Sequence, residues 1–500
     1  MISVSEAWKE VHQQSILPET FVEIDCTISY VGEEKEASVK GSSETFFSTV
    51  KDVLNDTPKS ALYATNELNL WALDGSRSIV PTYASQRGPS GFVSADTTGE
   101  VVLSFPTPRT TLTPGITITW SNLYEEYPTS FTVTVKNGDT IVAENTITDN
   151  RDQVSAMFMG IKDYDSIVVT VHDWCLPNRR VRIERIALGH VITLTKDNIF
   201  SFKHEMNGDV LSGELPKSSI EFTLDNIDGR WNLANPTGTG QYLCERQKLV
   251  VRYGMKVGGT VEWIKGGVFY LSEWDAPSNG LEARFVARDS IDFLFNREMR
   301  DSKSGTLANL ITYAVPSDVA VKLDDSLKKY STQYTPTSSA AELVQMCANL
   351  GECVMRYDRD GVLNIEPLNT SDSGYTITSA LSYSQPEVRL SKPLGVISVD
   401  YGAGAPYELT VANTGEKQTV SNKLITDIAG AQRVAAWVGD FLQHRETVSG
   451  EFRADPRLDL FDIVTVESKY GVLNNVVVTN ITYTYNGSFR GSYTGRVLEG

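Results

Sequence analysis

The sequence predicts a mainly β protein with a small α+β part. Short runs rich in Val, Ile, Thr and Tyr recur along most of the 500 residues, separated by Gly, Pro, Asn and Asp, as strands and turns are. Only three stretches place apolar residues at helical spacing. Strands and helices also fail to alternate regularly, which argues against the α/β architecture of many enzymes.

The strand prediction rests on segments of high β propensity that end at turn-forming residues. The clearest examples are FVEIDCTISYV (21–31), FTVTV (131–135), SIVVTV (166–171), LVVRYG (249–254), VISVDYG (396–402) and VVVTNITYTYNG (476–487).

Helices are predicted at 304–314, 339–350 and 427–443. The second has a capping box, with Ser339 before the helix and Glu342 three residues later, and Gly351 follows its end. Pro316 stops the first helix. We interpret the apolar stripe of each helix as a face buried in a core. The stripes are Leu307, Leu310, Ile311 and Ala314; Leu343, Met346, Cys347 and Leu350; and Ile428, Ala431, Val434, Ala435, Val438 and Leu442.

A weak internal echo links two segments, 266–289 and 474–497, each of which reads as a strand, a polar turn and a second strand. Two copies of one β module would explain the echo. Two antiparallel hairpins, which are common in any β protein, would explain it equally well.

Composition shifts and turn signals divide the chain into consecutive blocks. The predicted blocks are an N-terminal β segment at 1–87, a self-contained β block at 88–190, a further β block at 191–300, an α+β block at 301–390 and a closing β block at 391–500 with one helix near 427–443.

The charge balance argues against sequence-independent binding of the nucleic-acid backbone. The formal net charge is −18, whereas backbone binding needs clustered Lys and Arg. The composition, 41% hydrophobic and 22% charged, is that of an ordinary globular protein. No apolar run reaches about 18 residues, so no membrane span is expected. The N-terminus lacks the basic start and apolar core of a secretory signal.

The five cysteines are scattered and form no C-x-x-C motif, which argues against a disulfide framework and a structural zinc site. We expect reduced thiols in a protein made in a cytosol.

Motifs for cofactors and metals fail on their spacing, so neither is expected. NPTGTG (235–240) has no following Lys-Ser or Lys-Thr and reads as a loop. His204-Glu205 lacks the second His of a zinc hydrolase helix. DNIDG (225–229) fails as a calcium loop because Leu224 occupies the first ligand position. A nucleophile site built from distant residues stays open, since such residues meet only in the fold.

The 88–190 block is the best candidate for ligand binding. Its aromatic residues near loops could stack on a sugar, and its arginines could donate to hydroxyls. The alternative is that Trp120 and Trp174 fill the core of the block, and we favour that interpretation for these two. The candidate glycan-binding residues are Trp120, Tyr124, Tyr127, Trp174, Arg179 and Arg180.

Several sequence segments resemble segments of baseplate hub and tail-associated proteins of long-tailed bacteriophages. SSIEFTLDNIDGRWNLANPTG…LCERQKLVVRYG (218–254) resembles their first β module, and EFRADPRLDLFDIVTVESKYG…VVVTNITYTYNGSFRGSYTGRVL (451–498) resembles their closing one. LYATNELNLWALDGS (62–76) is similar to a segment of the same class. The likeness covers 1–87 and 191–500, and the 88–190 block resembles a galactose-binding-type jelly roll inserted into that frame.

The resemblance implies two tube-forming, barrel-like β modules, at 191–300 with help from 1–87 and at 391–500, and an inserted sandwich. Three chains would make a ring of six similar units between a six-fold tail tube and a three-fold tip. DNIDG would be a turn over Trp231 with no metal. Three chains would carry a formal charge of −54, three times −18, and a negative lumen would let DNA pass without binding.

The resemblance therefore implies a non-enzymatic, homotrimeric hub in the virion tail tip, assembled in the host cytoplasm. Expected partners are the tail tube or distal tail ring and a central spike, fibre or tape-measure protein, with a host cell-surface glycan as a further option. Two alternatives stay open: a carbohydrate-binding adhesin whose head is the sandwich, and a tail-associated cell-wall hydrolase. Relatives with a hydrolase carry it after the hub region, where this sequence ends.

Overall fold

The computed structural model describes most of the chain outside 49–98. The described residues are 1–16, 18–28, 37–41, 47–48, 99–110, 112–120, 125–177, 181–183, 185–233, 240, 243–276, 280–295, 297, 299–316, 319–336, 338–401 and 405–498. The chain divides into two compact units: Met1–Asp25, Thr193–Gln241 and Leu249–Gly500 form the first, and Cys26–Ile192 with Tyr242–Lys248 form the second. The segments 62–76 and 235–239 lie outside the described residues.

The elements of the described residues confirm a mainly β protein with few helices. The helices are α1 (Glu6–His12), α2 (Ile291–Phe295), α3 (Leu307–Ala314), α4 (Ala340–Leu350) and α5 (Ile428–Leu442), with a 3₁₀ turn at Asp325–Lys328. The strands up to residue 194 are β1 (Thr20–Ile28), β2 (Ser38–Gly41), β3 (Phe47–Ser48), β4 (Gly99–Arg109), β5 (Thr113–Thr119), β6 (Pro128–Asn137), β7 (Thr140–Ile147), β8 (Val154–Ile161), β9 (Tyr164–Trp174), β10 (Val181–Arg182), β11 (Arg185–Leu188) and β12 (His190–Leu194).

The remaining strands follow in chain order. They are β13 (Ile199–Asn207), β14 (Lys217–Asp225), β15 (Lys248–Val257), β16 (Thr260–Asp275), β17 (Glu282–Arg288), β18 (Lys303–Thr306), β19 (Val321–Leu323), β20 (Ser331–Tyr334), β21 (Val354–Tyr357), β22 (Leu363–Glu366), β23 (Asp372–Ile377), β24 (Glu387–Leu390), β25 (Leu394–Asp400), β26 (Tyr407–Thr410), β27 (Glu416–Ser421), β28 (Glu446–Phe452), β29 (Ile463–Ser468), β30 (Gly471–Tyr485) and β31 (Phe489–Val497).

The helical predictions are confirmed with corrections. The capping box of α4 is present, since Ser339 Oγ accepts from the Glu342 amide at 3.3 Å and the Glu342 carboxylate accepts from the Ser339 amide at 2.8 Å. Residues 304–306 belong to β18 rather than to α3, because they pair with β20. Ile428 is 53% exposed, so the buried stripe of α5 begins at Ala431. The short helices α1 and α2 were not predicted.

The three predicted helices share one apolar core in the first unit. Leu310, Leu343 and Val434 are fully buried in it, one from each helix, together with Ile365 of β22 and Ile397 of β25. This core therefore joins α5, which the sequence analysis assigned to the closing block at 391–500, to α3 and α4 of the predicted α+β block at 301–390.

A 13-stranded sheet, made mainly by the first unit, dominates the described residues. Its main path runs β12-β1-β15-β16-β17-β14-β13-β30-β31-β28-β24, and β29 pairs with β30 and with β23 off this path. Along β14, Ile220, Phe222 and Leu224 are buried while the residues between them are partly exposed. The period of two is that of a sheet with one face on a core and one toward solvent.

The second unit contains two antiparallel sheets over a common core. One has the order β2-β4-β9-β6-β7 and the other β11-β5-β8. Val101 and Val133 of the first sheet and Ile116 and Ile118 of the second are fully buried in a single apolar cluster. This is the arrangement of a β-sandwich.

Candidate functional site: a duplicated sheet module and its junction

Two groups of five strands in the large sheet have the same order. In the first copy, β13 to β17, the order is β13-β14-β17-β16-β15; in the second copy, β24 and β28 to β31, it is β24-β28-β31-β30-β29. Numbered from one to five along the chain, both copies read 1-2-5-4-3. The matching neighbours are antiparallel in both wherever β13, β14, β16 and β17 and their counterparts pair.

The register of the two copies also matches. Four directly opposite residues cross the first copy: Leu271, Ala287, Ile220 and His204. The equivalent row of the second copy is Val478, Gly495, Val448 and Val388. Immediately after each row the pairing shifts by one residue, between Leu271 and Glu273 in one copy and between Val478 and Asn480 in the other. A β-bulge at the same place in both copies is a specific shared feature, and it favours duplication as the source of the sequence echo.

The two copies are joined inside the chain by the antiparallel pairing of β13 with β30, which we call the junction. Six residue pairs form it, from Phe202 opposite Tyr485 to Asn207 opposite Asn480. At the last pair, Nδ2 of Asn480 donates to Oδ1 of Asn207 at 2.6 Å. On the edge of β30 opposite β31 there is room for two strands, because β29 pairs with residues 471–477 and β13 with residues 480–485.

A buried histidine lies at the centre of the junction. His204 is 1% exposed, opposite Tyr483, with Nδ1 at 2.6 Å from Tyr253 Oη and Nε2 at 3.0 Å from Ser218 Oγ. Burial, and then the nearby charge of Arg359, hold the pKa of His204 well below its usual range. The ring is therefore neutral and structural, with no opening toward a substrate.

Arg359 forms hydrogen bonds with both copies from the side that faces the core. Its guanidinium donates to the carbonyl of Gly266 in β16 at 2.7 Å and to the carbonyl of Leu458, in the segment before β29, at 3.0 Å. Its Nε lies 3.5 Å from the carboxylate of Asp459. A buried cation held this way favours one arrangement of both copies.

The solvent side of the first copy carries charges of both signs, and its arginines are paired. Arg284 binds Glu221 through two parallel bonds of 2.7 and 2.8 Å, and Arg288 donates to Glu273 at 3.0 Å. The guanidinium of Arg284 holds the pKa of Glu221 below its usual range. Paired guanidinium groups offer few donors to a phosphate backbone.

The segment 225–229 forms a turn, as predicted. Gly229 has a φ of +68°, and its amide donates to the carbonyl of Asn226 at 2.9 Å. Asp225 and Asp228 accept backbone amides two residues further on, the geometry of Asx turns. Trp231 packs beneath, edge-on to Phe285 with ring centroids 5.4 Å apart.

Trp120 and Trp174 lie in the sandwich core, the interpretation favoured for these two residues over sugar stacking. Trp120 is fully buried, edge-on to Phe131 and to Trp174 at 5.1 and 6.0 Å. Trp120 Nε1 donates to Ser155 Oγ, and Trp174 Nε1 donates to buried Glu126. Neither ring presents a face to solvent, because both are needed to fill the space between the sheets.

The other candidate residues of the sandwich stay apart from any defined site. Tyr127 is half-buried at the core edge, where its carbonyl accepts from the Cys175 amide at 3.0 Å. Tyr124, Arg179 and Arg180 lie outside the described residues. Glycan binding by this block therefore stays a prediction.

The described residues contain few other groups arranged for chemistry. Cys175, Cys244, Cys347 and Cys353 are free thiols. Within the described ranges, no group of three His, Cys, Asp or Glu side chains has the arrangement of a metal site. No helix in the described part of the chain is long and apolar enough to cross a membrane. A polar cavity of about 830 Å³ in the first unit is lined by Arg356, Asp358 and Glu366 among others, and their side chains are engaged with one another or with the backbone.

The fold thus defines a mainly β protein with a duplicated five-stranded module and a separate sandwich. No protein-family model matches the chain, and no curated protein matches it. Solved structures to which it is similar include phage tail proteins.

A 43 kDa tail protein of prophage MuSo2 from Shewanella oneidensis is 12% identical, with 62% of this chain and 96% of that chain covered at a TM-score of 0.46. A tail protein from Neisseria meningitidis MC58 is 11% identical over 60% of this chain and 92% of that chain, with a TM-score of 0.44. Prophage tail protein gp18 from Listeria monocytogenes EGD-e is 13% identical over 62% and 91%, with a TM-score of 0.42.

Proposed function

We propose that the chain is a non-enzymatic structural hub of a bacteriophage-type tail tip, and that it works as a homotrimer. The observation that carries the proposal is the repeated strand order of the two copies, with the same bulge in each. The hub-like phrases at 218–254 and 451–498 lie within these copies, so sequence and geometry support the same proposal.

The duplication explains how a trimer could bind both a six-fold and a three-fold partner. A chain with two equivalent modules presents six similar units when three chains close around an axis. Such a ring can meet a six-fold tail tube or distal tail ring on one side. On its other side it can meet a three-fold spike, fibre or tape-measure protein. A single-module protein would need six chains for the first contact and would not match the second.

The charge pattern suits a channel through which DNA passes without binding. The chain carries −18 formally, and Arg284 and Arg288 on the solvent face of the first copy are occupied by carboxylates. Unpaired cations along a bore would hold phosphate and slow its passage. The proposal places this face toward the bore.

The sandwich is proposed as a peripheral domain that contacts neighbouring tail proteins or a host glycan. Its two tryptophans stabilise the domain, so a binding surface there would have to use other side chains. Localisation in the virion tail tip, after assembly in the host cytoplasm, follows from the hub role.

The test is the oligomeric state together with the position in the particle. Light scattering on the purified full chain should give the mass of three chains. Electron microscopy of tails with a tagged copy should place the tag on the tail axis. A monomer, or a tag far from the axis, would overturn the hub role. Clearing of peptidoglycan in a gel assay would overturn the non-enzymatic part.

A further inference from the structure

The second copy ends on an incompletely covered strand. In the first copy β13 has two neighbours, β14 and β30, whereas its equivalent β24 pairs only with β28 in the described part of the chain. The exposures of equivalent side chains reflect this difference. His204 and Met206 of β13 are 1% and 4% exposed, but their equivalents Val388 and Leu390 are 46% and 64% exposed. Open apolar edge strands are usually covered by a partner.

The first copy has a matching open edge at the end of β16. Strand β15 has ten residues and turns directly into β16 at Gly258-Gly259, so it can accompany only about the first ten of the sixteen residues of β16. In the second copy, the equivalent end of β30 is occupied by β13. Among described strands, the segment Glu273–Asp275 pairs with β17 alone.

We propose that β24 of one chain pairs, antiparallel, with the end of β16 of the next chain, and so repeats the junction between chains. The inference rests on the proposed trimer and names the surfaces that close it. The opposite residues follow when each residue of the β13–β30 junction is replaced by its equivalent in β24 or β16. They are Ser391 with Glu273, Leu390 with Trp274, Arg389 with Asp275, and Val388 with Ala276.

The chemistry of this register is complementary. Arg389, which binds Glu387 of its own chain at 2.8 and 3.1 Å, would face Asp275, which lies 3.8 Å from Arg284. The opposite charges of Arg389 and Asp275 would extend these ion pairs, whereas like charges there would be destabilising. Leu390 and Trp274 take the places of Met206 and Ile481, which are buried together at the junction. Their pairing would cover the apolar edge of β24.

Prolines define where the pairing stops. Because the two strands would be antiparallel, both prolines lie at the same end of the proposed four-residue ladder: Pro386 precedes β24 and Pro277 follows Ala276, and neither has an amide donor that could extend the pairing. A short ladder that is stopped at this end leaves less freedom for a slipped register.

Disulfide trapping tests the register. The positions of Asn207 and Asn480, whose side chains touch at the junction, correspond to Ser391 and Glu273. Residues directly opposite in a sheet have Cβ atoms about 4.5–5.5 Å apart, close to disulfide distance. The full-length double variant Glu273→Cys/Ser391→Cys should form covalent dimers and trimers under mild oxidation, and reduction should return them to single chains.

Three controls accompany this variant. Each single cysteine variant measures cross-linking through the native thiols and should give few dimers. The pair Asn207→Cys/Asn480→Cys should cross-link within one chain. The pair Val472→Cys/Ser391→Cys moves one thiol to an exposed position of β30 and should give no more dimers than the single variants.

The outcomes separate this inference from the hub proposal. A trimer by mass without cross-linking in Glu273→Cys/Ser391→Cys would overturn the pairing and leave the hub role intact. A monomer by mass would overturn both. A trimer that cross-links equally well in the Val472 control would also overturn the register.

Charge reversal provides a second test that needs no thiols. Asp275→Arg and Arg389→Asp should each raise the protein concentration at which trimers dissociate by about tenfold. The trimer dissociation constant varies as the square of that concentration, so this corresponds to about 100-fold in the constant, or about 0.9 kcal/mol lost at each of three interfaces. The double variant should recover most of the wild-type affinity. Equal weakening in the double and single variants would contradict a direct Asp275–Arg389 contact.

Discussion

His204 and Tyr483 lie directly opposite each other where the first copy of the module pairs with the second, and both side chains are fully buried. The histidine satisfies both ring nitrogens, one with Tyr253 and one with Ser218. A neutral imidazole at this place makes the contact between the two copies sensitive to acid.

We predict that His204 makes the first unit less stable as pH falls below about 6.5, the unfolded pKa of histidine. Burial depresses its folded pKa, so below pH 6.5 the unfolded chain binds a proton that the folded chain refuses. His204→Gln should lower the melting temperature at pH 7.5, because two buried bonds are disturbed, but should remove this acid-dependent loss. Calorimetry between pH 5 and 7.5 measures both effects, and His172→Gln on the exposed side of the sandwich serves as the control. An unchanged pH dependence in His204→Gln would contradict the prediction.

Asp289 should act in the opposite direction. Burial raises the pKa of Asp289 to about 7, while its two oxygens accept from the amides of Ser218 and Ile291. Its stabilising contribution is full below the unfolded value of about 3.9 and is lost as pH rises toward 7, because only the folded carboxyl keeps its proton in that window. Asp289→Asn should therefore remove a loss of stability between pH 4 and 7. The same calorimetric series checks this, and a steeper loss in the variant would refute it.

Arg359→Met should destabilise the first unit by about 3–5 kcal/mol. The change removes the Arg359 donor to the carbonyl of Gly266, one of two donors to the carbonyl of Leu458, and the nearer of two guanidinium groups beside the Asp459 carboxylate. Chemical denaturation measures the loss. Lys328→Met, at an exposed surface pair with Asp325, should change stability far less. Equal effects of the two substitutions would mean that Arg359 does not hold the copies together.

Trp120→Ala should destabilise the sandwich by about 3–5 kcal/mol through the cavity it leaves. Trp120→Phe should recover most of this, losing mainly the bond to Ser155. Thermal unfolding of the full chain, followed by near-ultraviolet circular dichroism, measures the two variants. If Trp120→Ala melted like the wild type, the ring could not be the core residue described above. Loss of glycan binding in this variant would in any case report unfolding, so Tyr127→Ala is the better probe of that function.

Local features of the fold could be predicted from the sequence, because neighbouring residues encode them. The capping box of α4 needs only Ser339 and Glu342, and the turn at 225–229 needs only its Asp, Asn and Gly residues. The prediction that Ile428 is buried was wrong because helical spacing identifies an apolar stripe but does not show where the core that covers it ends.

Long-range features were harder to predict. The equivalence of the two copies lies in opposite residues such as Leu271 with Ala287 and Val478 with Gly495. Equivalent positions agree in approximate side-chain size and in the face of the sheet, but not in residue type. Phe202, His204 and Met206 alternate along the strand, which places the histidine on the same face as two apolar residues. That pattern could have identified the buried ring. For Trp120, period-two spacing alone cannot say which face of a sheet is covered.

In the proposed trimer the two open edges, which differ in shape and in residues, would join successive chains head to tail. Contacts of this type close into a ring only when the turn between successive subunits divides a full circle; otherwise they grow into filaments. The bulges after Leu271 and Val478 bend the strands that carry these contacts. Deleting one extra residue, Ser272 or Thr479, should therefore convert closed assemblies into open-ended polymers.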